Sequence, residues 1–178
     1  MQGTLRDNAA QRPLTSTFGV TRTLMNSTVF LTVLSGVITF VIGQLVLKLV
    51  IDPVQELKKT IAQISHSMIE RANVIANPGV PSDDVMSETS KHFRQLSSQL
   101  HAHLYLIPLF NVTAKIFRLP TKEKILAASS SLIGLSNSIF RASATEHIHN
   151  HNARRVENVC DSLGIYITEG DRVPKDQA

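Results

Sequence analysis

The chain has 178 residues, about one domain's worth, with 18 Lys and Arg against 14 Asp and Glu and a formal net charge of +4. Charged residues make up 18%, below the roughly 25% usual in soluble domains, and the 23 residues from Val29 to Ile51 hold a single charge, Lys48. Such a run reads as a transmembrane helix; it excludes a purely soluble domain, and a lone span excludes a polytopic transporter or channel built from one chain.

The basic balance does not point to nucleic acid. Residues 52–178 carry 14 Lys and Arg against 13 Asp and Glu, and no dense basic stripe with interleaved aromatics occurs. Cys160 is the only cysteine, so no intrachain disulfide is expected, which fits a reducing compartment.

In chain order, residues 1–27 are rich in Thr, Ser, Asn and Gln without periodicity, the pattern of a flexible polar tail. Residues 28–51 form the predicted membrane helix. It starts too late and runs too long for a cleaved signal peptide, whose apolar region is about 7–15 residues, so a retained anchor is expected. Ser35, Thr39 and Gly43 recur every fourth residue, and small residues at that spacing let two helices approach closely in lipid. They are the candidate residues for helix association with a second copy or with another membrane protein. Lys48, Lys58 and Lys59 follow the span, against Arg12 and Arg22 before it. By the positive-inside rule the C-terminal domain is expected in the cytoplasm, at a bacterial inner (plasma) membrane.

Asp52-Pro53 predicts a new or bent helix, with Asp as N-cap and Pro at the first helical position. Its expected seam is Val54, Leu57, Ile61, Ile64, Met68, Ala72 and Ile75, ending at Asn77-Pro78-Gly79, a run of poor helix formers. After a short loop, Ser82 is the predicted N-cap of a second helix whose seam is Met86, Thr89, Phe93, Leu96, Leu100, His103 and Ile107. Two seams joined by a short loop predict an antiparallel hairpin. An arm of about 24 residues rises roughly 35 Å, and the second arm brings the chain back. It returns at the apolar segment Leu104–Phe110, followed by Lys115, Arg118, Lys122 and Lys124. Apolar residues edged by bases suit an anionic leaflet, so these four bases are the candidates for membrane-surface contact.

A third helix is predicted from Thr121 to Phe140, with Ile125, Leu132 and Ile139, and Leu126, Ile133 and Phe140, repeating every seven residues and serines flanking the stripe. A polar linker around Ala142–His149 then leads to a last helix with seam Ala153, Val156, Cys160 and Leu163, closed by Gly164 as C-terminal cap. The fold expected is all-α: a membrane helix and a helical bundle of about four helices over 52–164, with a flexible tail over 165–178.

Chemistry is sparse. His147, His149 and His151 form H-x-H-x-H and His101 and His103 a second H-x-H, but no carboxylate or cysteine stands at a paired metal-ligand spacing. His103 falls on an apolar seam and reads as a hydrogen-bonded core residue. Cys160 lies on an apolar stripe beside Arg154 and Arg155, with no paired catalytic histidine. No phosphate-binding, dinucleotide, metalloprotease or nucleophile-elbow motif occurs. No catalytic, cofactor-binding or metal-binding residue is therefore expected.

A membrane span followed by Pro53, Leu57 and Ile61, and then Asp83-Asp84-Val85 before Phe93, resembles a HAMP linker over residues 53–101. That resemblance implies a parallel homodimeric four-helix module relaying signals from the span. The blocks Ile51–Glu56, Ile75–Gly79 and Leu132–Asn137 resemble short single-pass bacterial inner-membrane proteins and imply no site residues. The reading expected is a non-enzymatic, membrane-anchored helical protein acting through protein–protein or membrane-surface contacts, with the HAMP-like relay as the alternative.

Overall fold

The structure, a computed structural model, describes the backbone of residues 16–140 and 146–167, with side chains from Ser27 in the first stretch and from Ile148 in the second. All elements among the described residues are helical. They are α1 (Ser16–Val46), a π-helical turn (Leu47–Ile51), α2 (Asp52–Glu70), α3 (Ala72–Ala76), α4 (Asp83–Leu106), α5 (Phe110–Phe117), α6 (Lys122–Ser138) and α7 (Glu146–Leu163). The chain divides into two units between Leu45 and Val46.

The first unit is dominated by α1, which begins at Ser16 rather than at the start of the apolar run; of the expected polar tail, residues 1–15 lie outside the described residues. One helical run, Ser27–Glu70, is long and apolar enough to cross a membrane, and none of its most apolar window is buried within the protein. Two hydroxyls on this helix bond within it. Thr32 Oγ1 donates to the Thr28 carbonyl and Ser35 Oγ to the Thr32 carbonyl, both at 2.9 Å, as an apolar surrounding requires.

In the second unit, the Asp52 N-cap expected from sequence is not formed. Ile51 and Asp52 both keep right-handed helical backbone and no side chain caps there. Instead the amide of Asp52 donates to the carbonyl of Leu47, five residues back, and Asp52 pairs with Lys48 at 3.0 Å. Pro53 lacks an N–H and its ring crowds the preceding turn. A wider π turn just ahead of it accommodates the ring without ending the helix.

The second correction is at Arg71, where the backbone leaves the helical region (φ −103°, ψ 14°) and splits the expected single arm into α2 and α3. Arg71 turns toward α4, donating to Thr89 Oγ1 at 2.8 Å and Glu88 Oε1 at 2.9 Å. Ala72, expected in the seam, is exposed, while Val74 and Ile75 are buried. Ser82 begins α4 with extended backbone but makes no side-chain cap.

Polar pairs fix the helix order. Between α2 and α4, Thr60 meets His103, Ser67 meets His92 and Arg71 meets Thr89; numbers rise on one helix as they fall on the other, so the two run antiparallel. Between α4 and α6, Ser90 meets Ser136 at 2.9 Å and Ser97 meets Ser129 at 2.7 Å. Between α6 and α7, Asn158 Nδ2 donates to Ser131 Oγ at 2.9 Å, and the Arg155 side chain lies over Gly134. Around these pairs sit Leu57, Ile64, Phe93, Leu100, Ile125, Leu132 and Val159, all without solvent exposure, each contributing about 1.5–3 kcal/mol by burial.

The expected α6 stripe is narrower than its two heptad rows. Ile125, Leu132 and Ile139 are buried, whereas Leu126 and Phe140 are exposed. Ser129, Ser131, Ser136 and Ser138 are themselves buried, because small side chains let α4 and α6 approach closely. On α7, Asn152 and Val159 are buried where Ala153 was expected. Asn152 Nδ2 donates to the Ile75 carbonyl at 3.1 Å and so ties α7 to α3. Gly164 closes α7 with φ 72°, and the amide of Ile165 reaches back to the Cys160 carbonyl at 2.8 Å, a Schellman closure that favours glycine.

Candidate functional site

Exposed apolar residues of the second unit include Ile69, Val80, Phe140 and Tyr166, and a further run of them follows the end of α4. Tyr105, Leu106, Leu109, Val112 and Ile116 are all exposed, Leu109 at 80% and Ile116 at 70%. α5 explains how. Phe110, Thr113 and Ala114 face the core and are buried, with Phe117 packed partly against it. Val112 and Ile116, four apart, fall on a second face that is open, and exposed Leu109 precedes them at the N-cap. α5 is thus apolar on two sides, with Asn111 and Lys115 between them.

Both ends of α5 carry left-handed backbone on non-glycine residues, Leu109 (φ 47°) and Arg118 (φ 53°). Such a conformation costs about 1–2 kcal/mol per residue and persists only where the surroundings over-determine it. At the start, Thr113 Oγ1 donates to the Pro108 carbonyl at 2.9 Å and the amide of Thr113 to the Leu109 carbonyl at 3.1 Å. At the end, the amide of Leu119 reaches the Ala114 carbonyl at 2.9 Å. These bonds set α5 off from α4 and α6 as a separate short helix.

The four bases singled out from sequence, Lys115, Arg118, Lys122 and Lys124, are all exposed and follow or flank this face. Lys122 Nζ sits 5.9 Å above the Phe110 ring, a cation–π contact that joins the start of α6 to α5. Thr121 caps α6, its hydroxyl accepting from the Lys124 amide at 3.4 Å. Glu123 is the acid within the cluster; its own backbone amide and the Thr121 hydroxyl hold its carboxyl below the usual carboxylate range, with a smaller push from Lys122. On the other edge of the apolar surface, His101 and Tyr105 stack with ring centroids 5.7 Å apart.

The hydrogen bond between Thr60 and His103 returns the end of α4 to the first half of α2. α5 and its bases therefore lie at the end of this unit where the chain enters from Val46.

A second, polar feature runs between α2 and α4. A cleft of about 190 Å³ is lined by Gln63, His66, Ser67, His92, Gln95 and Gln99, among others. Ser67 Oγ donates to the Gln63 carbonyl at 2.8 Å, which leaves it to accept from His92 Nε2 at 2.7 Å. Burial, followed by the nearby Arg71 guanidinium, pushes the His92 pKa below its ordinary 6.5. Ser67 and His92 thus link α2 to α4 across the wall of this cleft.

The remaining sequence candidates are dispersed. Ser35, Thr39 and Gly43 are exposed on α1, and a Cβ added at Gly36 or Gly43 would meet nothing within 4 Å. His147 and His149 lie on α7, not in the expected linker, and of that linker residues 141–145 fall outside the described residues. His151 is exposed and Cys160 buried. Among the described residues no three His, Cys, Asp or Glu side chains converge in a way that could hold a metal ion. Sequence reasoning stopped the apolar segment at Phe110 and so missed Val112 and Ile116; the four-residue step from 112 to 116 was the available signal.

No family model, curated protein or solved structure matches the chain.

Proposed function

We propose that this chain is a non-enzymatic, single-pass membrane-anchored protein whose helical bundle works at the membrane surface, through contacts with lipid and with other proteins. One observation carries the reading: the antiparallel return of α4, fixed by Thr60 and His103, brings an open apolar face and a basic cluster to the end of the domain that follows the apolar helix. An apolar patch rimmed by polar groups marks an interaction surface, and one edged by bases suits an anionic leaflet. The four contact residues are Lys115, Arg118, Lys122 and Lys124.

The excess of Lys48, Lys58 and Lys59 over Arg12 and Arg22 supports a cytoplasmic domain at a bacterial inner membrane. The small face of Ser35, Thr39 and Gly43, whose neighbouring hydroxyls are already satisfied within the helix, supports association of the membrane helix with a second copy. The HAMP-like parallel dimer is the competing outcome. It would require Leu57, wholly buried against its own chain, to face its symmetry mate instead.

A membrane-impermeant maleimide tests the topology on intact cells, with a cysteine placed at Ala178 in a Cys160→Ser background. Labelling only after the membrane is opened is the expected result; labelling of intact cells would reverse the orientation. A disulfide between Leu57→Cys copies would favour the parallel dimer over the hairpin.

A further inference from the structure

We infer that α5 is a second membrane element, an interfacial helix whose open face, Val112 and Ile116 with Leu109 at the N-cap, is buried among the acyl chains of an anionic leaflet just below the headgroups. This rests on the membrane-anchored reading above and adds an occupant and a mode: the bases at the rim attract the surface, but the apolar face enters it.

Three observations converge. A surface helix of a soluble domain has one apolar stripe, turned to the core, and a polar face outside. α5 has its core stripe at Phe110, Thr113 and Ala114 and a second apolar face besides, with Ile116 70% exposed and Leu109 at the N-cap 80%. Water is a poor medium for that second face and hydrocarbon a good one. Lys115 lies between the open face and the polar side, where a long stem can run along the apolar surface with its ammonium at headgroup level.

Charge chooses among occupants. Lys115, Arg118, Lys122 and Lys124 outnumber Glu123 around the face. A second copy docked face to face would bring two basic clusters together, a like-charge juxtaposition that opposes association. An anionic lipid surface meets the same bases with opposite charge. The stacked pair of His101 and Tyr105 at the other edge offers an apolar body with a polar tip, the chemistry enriched at membrane interfaces.

Backbone geometry gives the third observation. The left-handed residues Leu109 and Arg118 bracket α5, and both are exposed. Left-handed backbone on non-glycine residues recurs at binding and switch sites. Here the two turns free an eight-residue helix from the axes of α4 and α6, so that its open face is presented at the end of the domain.

The test uses the full-length chain in liposomes of phosphatidylcholine alone and of phosphatidylcholine with phosphatidylglycerol. An environment-sensitive fluorophore is placed at Val112→Cys, Ile116→Cys, Asn111→Cys and Ser98→Cys in separate variants. All four positions are exposed, so the fold is not at risk, and buried Cys160 is checked for background labelling on the unaltered chain. At 112 and 116 we expect blue-shifted emission, quenching by lipid nitroxides about 5–10 Å below the surface and protection from iodide, all stronger with phosphatidylglycerol; 111 and 98 stay in water. Iodide access at 116 equal to that at 98 would overturn the inference. Equal quenching in the two lipid compositions would overturn the anionic occupant. A blue shift that grows with protein-to-lipid ratio without nitroxide quenching would put a second copy there instead. The anchoring reading fails separately, if alkaline extraction strips the chain from the vesicles; the probe at 116 still reports α5 in that case.

Discussion

His103 Nε2 stands 3.0 Å from the Thr60 hydroxyl, and that hydroxyl already donates to the Glu56 carbonyl at 3.0 Å. With its one proton committed, Thr60 can only accept, so the imidazole carries its proton on Nε2. The lone pair of His103 Nδ1 is then buried with no hydrogen-bond partner. Seven residues along α2 the arrangement recurs, with Gln63, Ser67 and His92 in the corresponding places. Two neutral histidines thus bridge α2 and α4.

Acid should loosen this hairpin. Burial lowers the His103 pKa below the ordinary 6.5, opposed only by Glu56, and burial with Arg71 and His66 lowers that of His92 against Glu70 and Glu88. The unfolded chain therefore binds more protons than the folded one as pH falls below 6.5. Stability is fully present above that value and is lost as pH falls through the folded-state pKa values. Thermal unfolding in detergent, followed by circular dichroism between about pH 5 and 8, should give a falling Tm on the acid side. The double variant His92→Gln/His103→Gln should flatten that fall; an equally steep profile would remove the histidines as its cause.

Thr60→Val keeps the shape and deletes the acceptor. It strands the His103 Nε2–H in the core, at a cost of about 1–3 kcal/mol. Thr60→Ser, which retains the hydroxyl, should lose about 0.8 kcal/mol or less, roughly one methyl group. Denaturant midpoints at neutral pH order the three proteins, and equal losses in both variants would contradict a stabilising Thr60–His103 hydrogen bond.

The serine pairs of α4 and α6 invite a double-mutant cycle. Ser97 and Ser129 are buried with their hydroxyl oxygens 2.7 Å apart, each within reach of the other's carbonyl, so two hydroxyl protons are shared among three contacts. Ser97→Ala and Ser129→Ala should each cost about 1 kcal/mol, and the pair together less than the sum. Ser97→Leu should cost about 1–3 kcal/mol or more, because it forces apart helices that approach over small side chains.

Gly134 gives a prediction whose sign depends on a neighbour. A Cβ there would fall 2.6 Å from Arg155 Nε and 3.0 Å from its Cδ, so Gly134→Ala must displace Arg155 and with it the contact to Asn152. In an Arg155→Ala background the clash is gone and the helical preference for alanine remains. There Gly134→Ala should raise stability by about 0.5–1 kcal/mol, measured by thermal unfolding of the four-protein cycle.

The seam of α4 was legible: all seven expected positions, Met86 to Ile107, are buried, because one uninterrupted period has one solution. Arg71 was not legible, since its departure from the helix is set by Glu88 and Thr89, partners 17 and 18 residues away. The serines of α6 read as a polar flank because composition does not distinguish a solvated serine from one paired across a close helix contact. For α5, the hydrophobic pattern on two faces blurred the period that would have marked a helix. At Pro53 the sequence rule for helix starts was sound, but a helix already running absorbed the proline by widening its turn.

The antiparallel pairings also set an order of events during synthesis. Ribosomes extend a chain at about 5–20 residues per second, so the apolar seam of α2 emerges several seconds before Phe93 and Leu100 exist to cover it. α4 in turn waits for α6, and α6 for α7. Through that interval the seam of Val54, Leu57 and Ile64 is the surface most open to wrong partners, and Thr60 and Ser67, set among those apolar residues, keep it from being a continuous greasy stripe. A chain stopped before α4 would lack the histidines that match those hydroxyls, and so would leave the seam uncovered and open to a protease or a chaperone.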